Sequence, residues 1–132
     1  MWEDWFKALF ALTIWREARG EGRDGMRAVA HVIANRVAAT NLPDQWDDVI
    51  ERKWQFSSMT APGDPELILW PKQPDPAWET AMQVAELIYG GGDYDLTLGA
   101  TFYFNPNVVM PDWAKSMKKT ITIGNHNFYS EA

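Results

Sequence analysis

The chain has 132 residues, of which 46% are apolar and 23% are charged, a composition typical of one globular domain. Its formal net charge of −6 argues against a nucleic acid partner, because phosphates favour a basic protein surface. Cysteine is absent, which excludes disulfides and thiolate chemistry. Histidine occurs only at His31 and His126, so we expect neither a metal nor another cofactor.

The first part of the chain is predicted to form three helices. Residues 3–19 carry side chains spaced three and four positions apart, as on one side of a helix: Phe6, Leu9, Phe10, Thr13, Ile14 and Glu17. Gly20 is a natural end for this helix, and a second helical pattern follows at residues 24–39. A shorter pattern predicts a third helix at residues 45–52.

The helical pattern stops at residue 53. Residues 53–75 contain four prolines and no sustained period, which predicts a long irregular loop of the kind that is usually functional. Asp75 and Pro76 then have the order of a helix N-cap and a first helical residue. A fourth helix is therefore predicted from there to residue 88, before the glycines at 90–92.

Short strands are predicted in the last third of the chain. Strand-like residues 100–104 precede a turn at Asn105-Pro106, and one or two helical turns follow at residues 111–117. Two further strands, 120–123 and 126–129, meet at Gly124-Asn125. Helices followed by a small antiparallel sheet indicate a mainly helical α+β fold, and we expect one domain over residues 1–132 with no separate wall-binding domain.

An apolar run at residues 5–15 has the length of an export signal but not its flanks. Glu3 and Asp4 precede the run in place of basic residues, and Arg16 and Glu17 follow it where small residues are expected. No run reaches the length of a membrane span. We therefore expect synthesis in the cytoplasm without an export signal, and no membrane insertion.

Glu17 is the strongest candidate for a catalytic residue. It lies on the apolar side of the first predicted helix, where desolvation disfavours the charged carboxylate, as a general acid requires. A structural ion pair with a neighbouring arginine is the competing interpretation, and the spacing alone leaves both open. Glu21 follows the glycine and is better solvated, so it is the weaker candidate for the acid.

Five sequence segments form a pattern that extends over most of the chain. They read IWREARGEG at 14–22, AVAHVIANRV at 28–37, QFS at 55–57, GATFYFNP at 99–106 and IGNHNFY at 123–129. In this order they resemble the cell wall hydrolase family of the spore-cortex-lytic enzymes. The resemblance implies a lysozyme-like catalytic domain that cuts peptidoglycan glycan strands between N-acetylmuramic acid and N-acetylglucosamine, with Glu17 as the catalytic acid.

Two departures from the family pattern affect the interpretation. Arg16 stands directly before Glu17, where family members commonly have glycine. Family members that act in germination also carry an export signal and a wall-binding domain, for which the sequence gives no indication. We therefore expect a phage endolysin, a monomer that reaches the wall through a membrane lesion made by another protein.

Further residues are candidates for binding the glycan. They are Glu21, Gln55, Phe56, Ser57, Tyr103, Asn105, Trp113 and His126. Polar side chains among them would bind sugar hydroxyl and N-acetyl groups, and aromatic ones would stack on sugar rings. Core packing is the alternative for Phe56 and Trp113, and for His126 we favour a structural role over a proton shuttle. His31 is expected to be structural.

The mechanism predicted from these residues is that of a lytic transglycosylase. One glutamate protonates the leaving oxygen and then accepts the proton of the muramic acid C6 hydroxyl, which closes a 1,6-anhydro ring. A lysozyme-type hydrolase, with Asp93, Asp95 or Glu21 activating water, is the main alternative. A non-catalytic glycan-binding module is a further alternative, whereas an amidase or endopeptidase would lack metal ligands and nucleophiles.

Overall fold

The computed structural model describes residues 2–40, 46–51 and 56–131. The α-helices are α1 (Trp2–Ala18), α2 (Gly22–Ala39), α3 (Trp46–Glu51), α4 (Ser57–Thr60) and α5 (Pro76–Tyr89). Two 3₁₀ helices span Pro65–Ile68 and Asp112–Ser116, and the strands are β1 (Phe102–Phe104), β2 (Lys118–Ile123) and β3 (His126–Ser130). In the part of the chain that is described, no helix has both the length and the apolar character of a membrane span. The predicted α+β class is confirmed.

Helix α1 is the centre of the fold. The side predicted to be apolar is buried, with Phe10 and Ile14 at 0% exposure. Leu12 and Trp15, which point to other sides of the same helix, are buried as well, because α2, α3, α4 and α5 all pack against α1. The end of α1 therefore brings Glu17 into the interior of a cluster of helices.

A tight turn joins α1 to α2. Gly22 has a φ of +74°, a left-handed conformation that glycine adopts without steric cost. Within α2, a Cβ added at Gly25 would lie 2.4 Å from the Cβ of Glu21. The absence of a side chain at Gly25 thus makes room for Glu21 beside the end of α1.

The prediction of an irregular loop at residues 53–75 is wrong for two segments, α4 and the 3₁₀ helix Pro65–Ile68. Both have four residues, too few for a helical period to be visible in the sequence. The 3₁₀ helix nevertheless has a local signal, since the Asp64 side chain accepts a hydrogen bond from Glu66 N at 2.9 Å. The segment is folded against α1 and forms one wall of the site described below.

Helix α5 begins as its sequence predicts. The Asp75 side chain accepts a hydrogen bond from Trp78 N at 3.0 Å, and Pro76 is the first helical residue. The same carboxylate accepts a hydrogen bond from Trp15 Nε1 at 3.2 Å. One N-cap residue therefore both starts α5 and joins it to α1.

The three described strands form an antiparallel sheet in the order β1-β3-β2. Gly124 and Asn125 form the predicted turn between β2 and β3, with Ile123 paired to His126. Tyr103 of β1 pairs with Phe128 of β3, which is buried against α2 in a small cluster with Ala28 and Val32. This packing holds Tyr103 and His126 near the end of α1.

Candidate active site

A cleft of about 340 Å³ lies at the C-terminal end of α1. Its lining residues come from α1, the following turn, the first 3₁₀ helix and β3: Arg16, Glu17, Arg19, Gly20, Glu21, Glu66 and His126. Three of these side chains are carboxylates and two are guanidinium groups, so the cleft suits a polar ligand. Three of the predicted site residues, Glu17, Glu21 and His126, are brought together here.

Both oxygens of Glu17 accept hydrogen bonds from neutral hydroxyl groups. Tyr103 Oη donates to Oε1 at 2.7 Å, and Ser58 Oγ donates to Oε2. A serine hydroxyl can turn its proton and act as donor or acceptor, so Ser58 can serve both the ionised and the protonated carboxyl group. The two contacts fix the orientation of Glu17 without neutralising its charge.

The arginines that were considered as ion-pair partners of Glu17 have other partners. Arg19 pairs with Glu66, Arg27 pairs with Asp24 and Asp93, and Arg16 donates to the backbone carbonyls of Ser58 and Leu69. Arg23 donates to Gln83 at 3.4 Å. The ion-pair interpretation of Glu17 is therefore not the arrangement that the structure shows, and the carboxyl group faces the cleft instead.

Tyr103 is held as a hydrogen-bond donor by its surroundings. Burial raises the pKa of its hydroxyl well above 10.0, and the adjacent Glu17 carboxylate raises it further. The phenol is therefore protonated at neutral pH and acts as a donor to Glu17. Its ring packs edge-on against His126, with the ring centres 5.2 Å apart.

Glu21 binds the turn between β2 and β3. Its carboxylate lies 3.0 Å from His126 Nδ1 and accepts a hydrogen bond from Asn125 Nδ2 at 3.2 Å. If His126 is neutral, this contact places its proton on Nδ1 and leaves Nε2 as an acceptor. The pair links the end of α1 to the sheet and lines the same cleft as Glu17.

Arg19 and Glu66 form an ion pair on the rim of the cleft. Arg19 Nη2 lies 3.0 Å from Glu66 Oε2, a second contact joins Nη1 and Oε1, and the guanidinium lies over the Trp15 ring. The hydrogen bond from Arg19 lowers the pKa of Glu66, so this carboxyl group is ionised at neutral pH. Sequence reasoning missed Glu66, because it lies in the segment that was predicted to be irregular.

The predicted binding residues at 55–57 have three different outcomes. Gln55 lies outside the described residues. Phe56 is only 1% exposed and packs in the main core, so the structure corrects its assignment to the substrate in favour of core packing. Ser57 is the first residue of α4, and the hydroxyl that reaches Glu17 belongs to its neighbour Ser58.

Asn105 and Trp113 are placed apart from the residues that line the cleft. The Asn105 side chain accepts a hydrogen bond from Asn107 N at 2.9 Å and shapes the turn after β1. Trp113 packs among aromatic rings, with centres 5.3 to 5.6 Å from its own: Phe102, Phe104 and Tyr129. The structure thus does not bring these two residues to Glu17.

Asp93 and Asp95 anchor the segment after α5 to α2. Asp93 accepts hydrogen bonds from Arg27 at 3.0 Å and contacts His31 Nε2 at 2.8 Å, and the Arg27 hydrogen bond lowers its pKa. Burial would raise the pKa of Asp95, but hydrogen bonds from Thr97 and Asn35 outweigh this and lower it. Both carboxylates have structural partners, which leaves Glu21 and Glu66 as the acidic groups beside Glu17.

A metal ion would need several ligand side chains close together. Within 2–40, 46–51 and 56–131, no group of three or more His, Asp and Glu side chains is arranged to hold one. The carboxylates of the cleft are paired with protein donors instead.

The sequence profile of the Cell Wall Hydrolase family matches residues 20–129. The spore cortex-lytic enzymes of Halalkalibacterium halodurans and Bacillus cereus are 35% and 34% identical to this chain over 91% of its length. These matches cover 33% and 42% of the two relatives, so the chain spans less than half the length of the curated relatives it matches. The profile match begins three residues after Glu17 and does not include it. Glu17 is therefore a candidate for the acid because of the contacts of its carboxyl group in the cleft.

Two solved structures have the same fold. The catalytic domain of the germination-specific lytic transglycosylase SleB from Bacillus anthracis has a TM-score of 0.74 and 29% identity, covering 95% of this chain and 93% of that one. The catalytic domain of Bacillus cereus SleB gives 0.71 and 28%, covering 95% of this chain and 89% of that one. The expected lysozyme-like architecture is confirmed by this likeness.

Proposed function

Because this chain belongs to the cell wall hydrolase family, we propose that it cleaves the glycan strands of peptidoglycan with Glu17 as the general acid. The observation that carries the proposal is the setting of Glu17. Its carboxyl group lies in the cleft between two neutral hydroxyl donors, Tyr103 and Ser58, while the nearby arginines bind elsewhere. A carboxyl group that is oriented but not paired with a cation can carry and donate a proton.

In the proposed reaction Glu17 acts twice and no water is consumed. First it gives its proton to the oxygen that leaves C1 of N-acetylmuramic acid, as the bond between C1 and that oxygen breaks. The muramic acid O6 then bonds to C1, and its proton passes to the Glu17 carboxylate. Tyr103 and Ser58 stabilise the carboxylate between the two transfers, when it carries the negative charge.

Hydrolysis is the second candidate, and the pair of Glu21 and His126 favours it. Glu21 lies in the same cleft as Glu17, so a water molecule between them would meet an acid and a potential base. The Glu21 carboxylate is held by His126 and Asn125, which reduces its freedom to take a proton. We therefore place the transglycosylase reaction first.

Mass spectrometry of the released fragments distinguishes the two reactions. Digestion of purified peptidoglycan in ¹⁸O-labelled water should give ends of 1,6-anhydro-muramic acid without the label if Glu17 acts alone. Reducing ends that carry the label would contradict that mechanism and support hydrolysis. The Glu17→Gln variant should keep its fold and lose activity by about a hundredfold or more, since general acid catalysis contributes about that much.

Delivery to the wall is a separate part of the proposal. We expect the chain to act as a phage endolysin, which predicts that cells producing it lyse only after a second protein opens the inner membrane. The optical density of a producing culture, with and without a membrane-permeabilising agent, measures this. Lysis on production alone would contradict the expected dependence on a lesion.

A further inference from the structure

Arg16 is a charged side chain that lies inside the protein, with 7% of its surface exposed. Its Nη1 donates to the backbone oxygen of Ser58 at 3.1 Å, and its Nε donates to that of Leu69 at 3.0 Å. The guanidinium group also lies 4.8 Å from the centre of the Trp70 ring. One planar group on α1 therefore holds both ends of the segment 58–70.

Ser58 is held at two points by consecutive residues of α1. Its carbonyl oxygen accepts a hydrogen bond from Arg16, while its hydroxyl group donates to Glu17 Oε2. Helix α4, which carries Ser58, has only four residues, and a helix of that length is not stable by its own hydrogen bonds. Tertiary contacts must then fix the place of the Ser58 hydroxyl, and the hydrogen bond from Arg16 is made to the backbone of Ser58 itself.

We infer that Arg16 is a positioning residue for the proposed general acid: it fixes Ser58, and Ser58 orients the Glu17 carboxyl group. This inference rests on the proposed function of Glu17. Arg16 itself touches neither oxygen of Glu17, so its effect passes through Ser58.

The energetic cost of Arg16 agrees with a functional role. Burial lowers its pKa, and its buried Nη2 has no hydrogen-bond partner within the described part of the chain. A buried charge and an unsatisfied donor both destabilise the folded state, whereas an aliphatic side chain of similar length would avoid both costs. These costs offset part of the stabilisation that its two hydrogen bonds to backbone oxygens provide.

A double-mutant cycle tests the inference, with kcat and KM measured on a soluble peptidoglycan tetrasaccharide. Arg16→Met should lower kcat by about tenfold and leave KM within about twofold, because it misplaces a group that contacts Glu17. In a Ser58→Ala background the same substitution should lower kcat by less than about twofold, since the hydroxyl to be positioned is absent. Arg16→Lys, which can reach only one of the two carbonyls, should give an intermediate kcat.

Lys7→Met is the matched control. Lys7 is another cation of α1, paired at 3.1 Å with the exposed carboxylate of Glu86, and its loss should leave kcat unchanged. Circular dichroism should show that Arg16→Met is folded at the assay temperature, and thermal unfolding measures the stability that is lost with the hydrogen bonds to Ser58 O and Leu69 O. If Arg16→Met does not fold, the cycle with Arg16→Lys takes its place.

Equal losses of kcat in the two backgrounds would overturn the inference, as would an unchanged kcat in a folded Arg16→Met variant. These outcomes are separate from failure of the proposed function. An active, folded Glu17→Gln variant would refute the role of the acid itself. An inactive Glu17→Gln variant with independent effects of Arg16 and Ser58 would refute only the positioning role.

Discussion

The hydrogen bond from Tyr103 to Glu17 gives the sharpest test of the proposed site. Tyr103→Phe removes one oxygen atom and keeps the ring that packs against His126 and Phe128. Glu17 Oε1 then loses a hydrogen-bond donor at 2.7 Å whose raised pKa keeps it protonated at neutral pH. The substitution should act on the carboxylate form of Glu17 and leave the fold intact.

The magnitude follows from the charge on the acceptor. A hydrogen bond to a charged group contributes about 1.5–3 kcal/mol, and about 1.4 kcal/mol corresponds to a tenfold change in rate. Since the carboxylate forms as the leaving oxygen is protonated, kcat should fall by about tenfold to a hundredfold. KM should change little, because the Tyr103 hydroxyl is engaged with the Glu17 carboxylate.

The assay is the initial rate of clearing of a suspension of purified peptidoglycan, with kcat from a soluble tetrasaccharide. Tyr129→Phe is the control, since it removes a hydroxyl from β3 at the pairing position next to that of Tyr103. Circular dichroism checks the fold of both variants. A folded Tyr103→Phe variant with kcat within twofold of the wild type would refute the idea that this hydroxyl supports the acid.

Three other substitutions test separate parts of the site and its support. In Gly25→Ala the new methyl group would lie 2.4 Å from the Cβ of Glu21, so the Glu21 side chain should be displaced. The melting temperature and the clearing rate should both fall. A variant with both values unchanged would contradict the packing described. Asp93→Asn should lower the melting temperature at pH 7 by roughly 10 °C, since breaking a buried ion pair costs about 3 kcal/mol. Folding lowers the pKa of Asp93, so its contribution to stability is complete above the ordinary pKa of 3.8 and is lost as the pH falls through the lowered pKa. The melting temperatures of the variant and the wild type should therefore converge in acid. Glu66→Gln should reduce the clearing rate by less than about tenfold, because an ion pair on the rim contributes little to the stability of the site. A loss as deep as that of Glu17→Gln would identify Glu66 as a second catalytic carboxylate.

The hydrogen bonds of the other carboxylates support the proposal that Glu17 acts as a single acid. Of the carboxylates considered as a second catalytic group, Asp93 accepts hydrogen bonds from Arg27 and contacts His31, both on α2. Asp95 accepts hydrogen bonds from Asn35 of α2 and from Thr97 and Gly99 of its own loop. Glu21 binds His126 and Asn125, and Glu66 binds Arg19. Glu17 differs from these groups in that its described hydrogen-bond partners are both hydroxyls, which leave its charge uncompensated.

Local patterns in the sequence determined most of the secondary structure. The three- and four-residue spacing predicted α1 and α2, Asp75-Pro76 predicted the start of α5, and Gly124-Asn125 predicted the turn of the hairpin. These features depend on residues close in the chain, so their physical causes are visible in a single sequence. The position of Glu17 at the inner end of α1 followed from the same spacing.

Only the tertiary structure decided which side chains meet Glu17. Ser58 and Tyr103 lie 41 and 86 residues from it in sequence, so no local pattern relates them to it. The short helix α4 brings the hydroxyl of Ser58 to Glu17, and α4 is held in place by contacts such as that with Arg16. Helices and strands form from the preferences of neighbouring residues. The way they pack together depends on contacts throughout the core between residues that are distant in sequence, and no local pattern shows these contacts.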